Sequence, residues 1–286
     1  MQAIARDVYL ENQYLGVTLG VINLSHGLIQ IDAPLAPEDG RAWRAALLNL
    51  GGSAERLLIN LDAHPDRTLG IRAMDCTVIA HGEVAQVFRG RPTTFKAQGE
   101  ETGADWETFG GLGNVRWAPP EITFSHHLVI HWGDAPVLAE YHPGPSTGAS
   151  WVILPEVKVA FVGDAILCNQ PPFLFSAELP AWIETLKLLL SPAYRGYLVV
   201  SGRSGLVAVE AIRVQIDYLN QILAKLEKLA AKKSPPEATE NLIPTLLSGL
   251  KFPANRQQQY TQRLRHGLYH YYVNHYRPAN DSATGE

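Results

Sequence analysis

Between residues 54 and 70 the chain reads AERLLINLDAHPDRTLG, and its chemistry is concentrated there. Leu57, Leu58, Ile59 and Asn60 have the apolar run of a buried strand near its end. Asp62, His64, Asp66 and Arg67 follow at once, with Gly70 shortly after. A strand that empties into a polar loop before a helix sets such side chains at the carboxyl edge of a sheet, where α/β folds carry their sites. Two carboxylates, an imidazole and a guanidinium are costly to bury unless they pair with one another or hold a cation. The spacing alone leaves two readings: a solvated loop with a local Asp–Arg pair, or a buried ionic centre.

Three later stretches bear on the choice. Tyr141-His142-Pro143-Gly144-Pro145-Ser146-Thr147-Gly148 is a loop rich in turn residues. Lys158 to Asp164 reads as a strand that ends in Gly163-Asp164. A strand over Tyr197–Val200 runs into Ser201-Gly202-Arg203-Ser204-Gly205.

Together these stretches resemble the motifs of the metallo-β-lactamase superfamily. Its HxHxDH signature falls on Asp62-Ala63-His64-Pro65-Asp66-Arg67. His64 and Asp66 match, whereas Asp62 and Arg67 stand where the first and last histidines belong. The opening IDtG-like turn is similar to Ile31-Asp32-Ala33-Pro34, and the PGHTxG loop falls on Pro143–Gly148 with Pro145 at the histidine. Asp164 takes the position of the metal-bridging carboxylate, and Arg203 replaces the last metal histidine. The resemblance implies an αββα sandwich over roughly residues 15–207. By the same resemblance, one metal position becomes Asp62, His64 and Pro145, and the other becomes Asp66, Arg67 and Arg203, with Asp164 between. A proline side chain cannot coordinate, and arginine is a permanent cation with no lone pair to donate. An ordinary dinuclear centre is therefore not expected.

The elements that must position these residues follow from periodicity and turn chemistry. Two strands flank the Asn23–Gly27 turn, and His26 reads as a turn residue. A helix with Trp43, Ala46, Leu47 and Leu50 on one face stops at Gly51-Gly52. A strand over 76–80 ends at His81, which reads as structural. Residues 83–118 read as an excursion over the active edge, with Trp106, Phe109 and Trp117 as an apolar wall. Strands are expected near 121–124, 127–131, 136–141, 150–154 and 157–162. From residue 208 the chain turns helical. Ile212, Ile216, Leu219, Leu223 and Leu226 form one stripe, Pro235-Pro236 stop that helix, and two more helices follow before a fraying SATGE tail. The expected organisation is an α/β domain over 1–207 and a C-terminal helical extension over 208–286, packed on it.

Composition narrows the function. The 286 residues carry a formal net charge of −4, so no basic face for nucleic acid is indicated. No run is long and apolar enough to cross a bilayer, and no apolar leader is apparent at the start. The two cysteines, Cys76 and Cys168, lie outside any zinc-like cluster and suit a reduced, cytoplasmic setting. Three functions fit. The first is a hydrolase of an anionic substrate working through Asp66, His64 and Asp164. It would carry either no metal or a single zinc, iron or manganese held by Asp62, His64 and His142. The second is a non-catalytic protein whose Arg67 and Arg203 hold a small anion. The third is a structural protein, dimeric through its helical tail, with a salt-bridged relic of the site.

Overall fold

The computed structural model describes residues 1–51, 55–96 and 102–277. The expected SATGE tail and part of the 83–118 excursion lie outside the described residues. Two β-sheets face each other. The first has the order β1 (Gln2–Ala5), β2 (Val8–Glu11), β3 (Leu19–Asn23), β4 (Leu28–Ile31), β5 (Arg56–Ile59), β6 (Thr77–His81) and β7 (Ile122–Phe124). Its first four strands pair antiparallel, and β4 to β7 run parallel. The second sheet holds β8 (His127–Ile130), β9 (Val137–Tyr141), β10 (Ser150–Leu154), β11 (Val159–Phe161), β12 (Leu198–Ser201) and β13 (Gly205–Val207), in reverse order across the sheet. There only β11 and β12 are parallel.

Alternation along the strands builds three apolar layers. Ile22, Ile29, Ile31, Ile59 and Ile79 of the first sheet meet Val152, Leu154, Val159, Phe161 and Val200 of the second. Gly20 is needed in this layer, because a Cβ there would stand 2.5 Å from the Phe161 ring. On the outer face of the first sheet, Val21, Leu58 and Val78 pack on Trp43 and Leu47 of α1 (Pro37–Leu47). The short α2 (Pro65–Thr68) and α3 (Gly82–Gly90) follow β5 and β6.

The outer face of the second sheet is covered by α4 (Leu179–Leu189), α5 (Val209–Ala231), α6 (Ile243–Ser248) and α7 (Gln257–Tyr276). Trp151, Ile153, Ala160 and Val199 share one apolar cluster with Trp182, Ile212, Leu219, Leu246, Leu264 and Tyr272. The architecture is the expected αββα sandwich with added C-terminal helices. Strands β1 and β2, which the sequence pattern does not single out, extend the first sheet. Asp7, at φ 57°, makes the tight turn between them. Among the described residues, no helix is long and apolar enough to cross a membrane.

Candidate functional site

The carboxyl ends of β4, β5, β11 and β12 converge at one edge of the sandwich, and four loops deliver polar side chains there. After β5 the chain turns into α2 with His64 as its N-cap, and the His64 Nδ1 accepts the Asp66 backbone N–H at 3.4 Å. Pro65 occupies the first helical turn, and Thr68 Oγ1 donates to the His64 carbonyl at 2.9 Å. These local bonds fix α2 so that Asp66 and Arg67 point inward and are fully buried. At the end of β4, Asp32 adopts a left-handed backbone (φ 60°) and accepts the Leu61 N–H at 3.0 Å.

Arg67 lies at the centre. Its Nη1 donates to Asp32 at 3.2 Å, its Nε is 3.3 Å from Asp62, and its Nη2 donates to Asp164. Arg203, from the turn after β12, meets the same carboxylate. Its Nε lies 3.1 and 3.0 Å from the two Asp164 oxygens, and its Nη1 lies 2.7 Å from Asp66 and 3.2 Å from Asp105. Its Nη2 donates to His64 Nδ1 at 3.0 Å. That nitrogen is therefore an acceptor, which places the His64 proton on Nε2.

Asp105 is not among the residues that motif or spacing singles out. It arrives on the short 3₁₀ turn Asp105–Thr108, where Asp66 accepts the N–H groups of Trp106 (2.7 Å) and Asp105 (3.4 Å). Its carboxylate also takes Arg256 (2.6 Å) and Gln259 (3.1 Å), with Arg263 of α7 3.6 Å away. The guanidinium carbons of Arg203 and Arg263 lie 4.6 and 4.0 Å from the centre of the Phe173 ring, which also meets His64 at 4.4 Å. The C-terminal helix is thus wired into the centre. Only the lone GADWETF aspartate and an arginine on an otherwise apolar helical face mark this in the sequence.

The electrostatics follow from burial and pairing. Burial pushes the Asp164 carboxyl up, but Arg203 and Arg67 outweigh it and hold the group well below the usual carboxylate range. Asp105 is likewise held down by Arg203 and Arg263 against its burial. At Asp32 burial wins over Arg67, and the carboxyl is pushed up to about 6. Burial, then the charge of Arg203, keeps the His64 imidazole well below its ordinary value, so it is neutral.

This donor set does not fit the family's pair of metals. The carboxylate in the bridging position takes its hydrogen bonds from two guanidiniums, and the imidazole lone pair at Nδ1 is occupied by a third N–H. Among the described residues, no group of three or more His, Cys, Asp or Glu side chains is arranged to hold a metal ion. The structure places His142 away from the proposed trio with Asp62 and His64. Its ring stacks on Trp151 with centroids 3.7 Å apart, and its Nε2 is 3.2 Å from Glu140. Asp62 instead accepts the Ser146 hydroxyl at 3.1 Å, one residue past Pro145. Arg67 and Arg203, expected to contact an external anion, are spent on the protein's own carboxylates. His81 caps α3 and stacks on Tyr141.

Beside this centre opens a cavity of about 330 Å³. His64 and Asp164 reach its floor, Trp106, Phe173 and Phe175 contribute its walls, and Arg91 and Arg263 border it. Of the expected apolar wall, Trp106 lines the cavity, while Trp117 and Phe109 belong to the apolar cluster around Phe88 and Phe95.

The family model described as the metallo-beta-lactamase superfamily matches residues 63–202. No curated protein matches the sequence. A metallo-beta-lactamase family protein from Thermus thermophilus superposes with a TM-score of 0.62 at 20% identity, covering 93% of this chain and 94% of that one. A metallo-beta-lactamase from Pontibacter korlensis gives 0.61 at 14% identity, covering 77% of this chain and 97% of that one. At such identities the likeness is one of fold. The matched stretch and these superpositions give the chain the metallo-β-lactamase superfamily fold, and the absence of a metal-binding cluster among the described residues is consistent with a divergent form of it.

Proposed function

We propose that this protein binds a small, largely apolar molecule in the cavity beside the arginine-filled centre, and that the centre serves as a rigid floor rather than as a generator of metal-bound hydroxide. One observation carries this reading: Asp164 is paired with both Arg67 and Arg203, and it also lines a cavity of ligand size. A hydrolytic reading needs a group to activate water. His64 Nδ1 is committed to Arg203, and Asp164 is committed to two cations, so neither is a competent base. A purely structural relic would leave no such cavity. A cytoplasmic setting, with Cys76 and Cys168 as free thiols, accords with this reading.

Elemental analysis of protein purified without added metal or chelator tests it, together with hydrolysis assays on ester, lactam and phosphoester substrates. The expected result is well below one metal per chain and no metal-stimulated turnover. One equivalent of metal that is lost on Asp164→Asn would overturn it.

A further inference from the structure

Every guanidinium at the centre has a carboxylate partner, but one that borders the cavity does not. Arg91 follows α3, and its Nη2 donates to the Ala63 carbonyl at 2.7 Å, which pins it beside the β5–α2 loop. Its guanidinium carbon lies 4.3 Å from the centre of the Trp117 ring and 5.0 Å from that of Phe88. Among the described residues no carboxylate forms an ion pair with it, in contrast to Arg67, Arg203 and Arg263. Its Nη1 is sealed from solvent without a hydrogen-bond acceptor. A cation placed in this way is expensive to keep, and two aromatic faces compensate only in part. Burial accordingly brings the Arg91 pKa down to about 10.

We infer that the cavity takes a monocarboxylate with a flat apolar body, and that Arg91 is the counter-ion for its carboxylate. This rests on the binding reading above and names its ligand. Three features select the class. A guanidinium fixed by the Ala63 carbonyl sets a positive charge at the border of the cavity, and its sealed Nη1 acts on a bound carboxylate through charge rather than through a hydrogen bond. A single cation with no ion-pair partner, favoured only by the charge of Asp62 nearby, balances one negative charge and not the two of a phosphate monoester. Trp106, Phe173 and Phe175 give the cavity an apolar lining that suits an aromatic or alicyclic body, not a sugar. Because Arg91 is held before the ligand arrives, little ordering is left for binding to impose.

Calorimetric titration of the full chain with 2-naphthoate and with its neutral amide, 2-naphthamide, tests the inference. The acid should bind at least tenfold more tightly than the amide. Arg91→Gln should erase that preference and Arg91→Lys should retain part of it, with the thermal midpoint recorded for each. Equal affinity for acid and amide, a preference that survives Arg91→Gln, or no binding of either compound would overturn it. If Arg91→Gln fails to fold, the acid-to-amide ratio in the unaltered protein still decides. Metal content measured on the same samples separates the two levels. Metal-free protein that binds the amide as well as the acid defeats the carboxylate assignment and spares the binding reading. Acid binding that vanishes with a chelator defeats the binding reading itself.

Discussion

The Arg203 Nε is shared between the two Asp164 carboxylate oxygens, at 3.1 and 3.0 Å, and Arg67 donates to one of the same oxygens. Two delocalised cations thus hold the carboxylate that stands where the family bridges two metal ions. All these groups are nearly or fully buried, so no solvent screens the pairing.

Removing one partner should expose the cost of the others. Arg203→Met leaves Asp164, Asp66 and Asp105 short of a cation, a loss of about 3–5 kcal/mol for an unpaired buried charge. Urea denaturation should show this drop, and Asp164→Asn added to the same chain should recover part of it. Strict additivity of the two changes would deny the coupling.

Restoring donors should restore affinity for metal. Arg67→His with Arg203→His removes both cations and adds two imidazoles beside His64, Asp66 and Asp164. The double variant should bind zinc, read by metal content after dialysis, where the unaltered protein binds well under one equivalent. A double variant that folds and takes up no zinc would show that the backbone no longer keeps the family's ligand geometry.

His64 makes stability depend on pH. Its imidazole is neutral in the fold, with its pKa lowered by burial and by Arg203, whereas the unfolded chain protonates near the ordinary value of 6.5. Below that pH the unfolded state binds the extra proton, so the His64 contribution is present above 6.5 and is lost as the pH falls. The slope is bounded by about 1.4 kcal/mol per pH unit. Denaturation at about pH 7.5 and about pH 5.5, either side of the histidine range, should show a smaller loss in His64→Gln than in the unaltered protein. Parallel losses would place the imidazole in solvent.

Gly202 leaves the room that Arg67 needs. A Cβ at this position would stand 2.8 Å from Arg67 Nη1 and 3.0 Å from the Gly163 backbone. Gly202→Ala should cost about 1–3 kcal/mol through overpacking. It should also weaken the Arg67 pairing, seen as a lower thermal midpoint and as altered NMR shifts of the Arg67 side chain. An unchanged midpoint would mean that the loop yields without strain.

Much of the fold is legible in the chain because its signals are local. The runs at Leu28–Ile31 and Ser150–Leu154, the stops at Gly51 and Pro235, and the stripe from Ile212 to Leu226 each act over a few residues. The Asp62–Arg67 cluster and Asp164 are legible for the same reason, as strand ends followed by polar turns. Strands β1 and β2 are not, since QAIA and VYLE are too short to show a period. Asp105 and Arg263 are not, since a lone aspartate in a glycine-rich loop and an arginine within a helix carry no spacing signal.

The sequence by itself determined the order of strands and helices, and through its resemblance to the metallo-β-lactamase motifs it implied an αββα sandwich with guanidinium groups at positions where that family has metal donors. Tertiary structure alone decided which carboxylates those groups meet, that His142 turns to Trp151 and Glu140 instead, and that Arg91 is left at the cavity without a carboxylate partner among the described residues. The physical reason is one of range. Backbone propensity and turn chemistry are written over neighbouring residues, whereas Arg67 and Asp164 lie 97 positions apart and Arg203 and Asp105 lie 98. Charges so distant along the chain are matched only when the two sheets close on one another and exclude water from the edge between them.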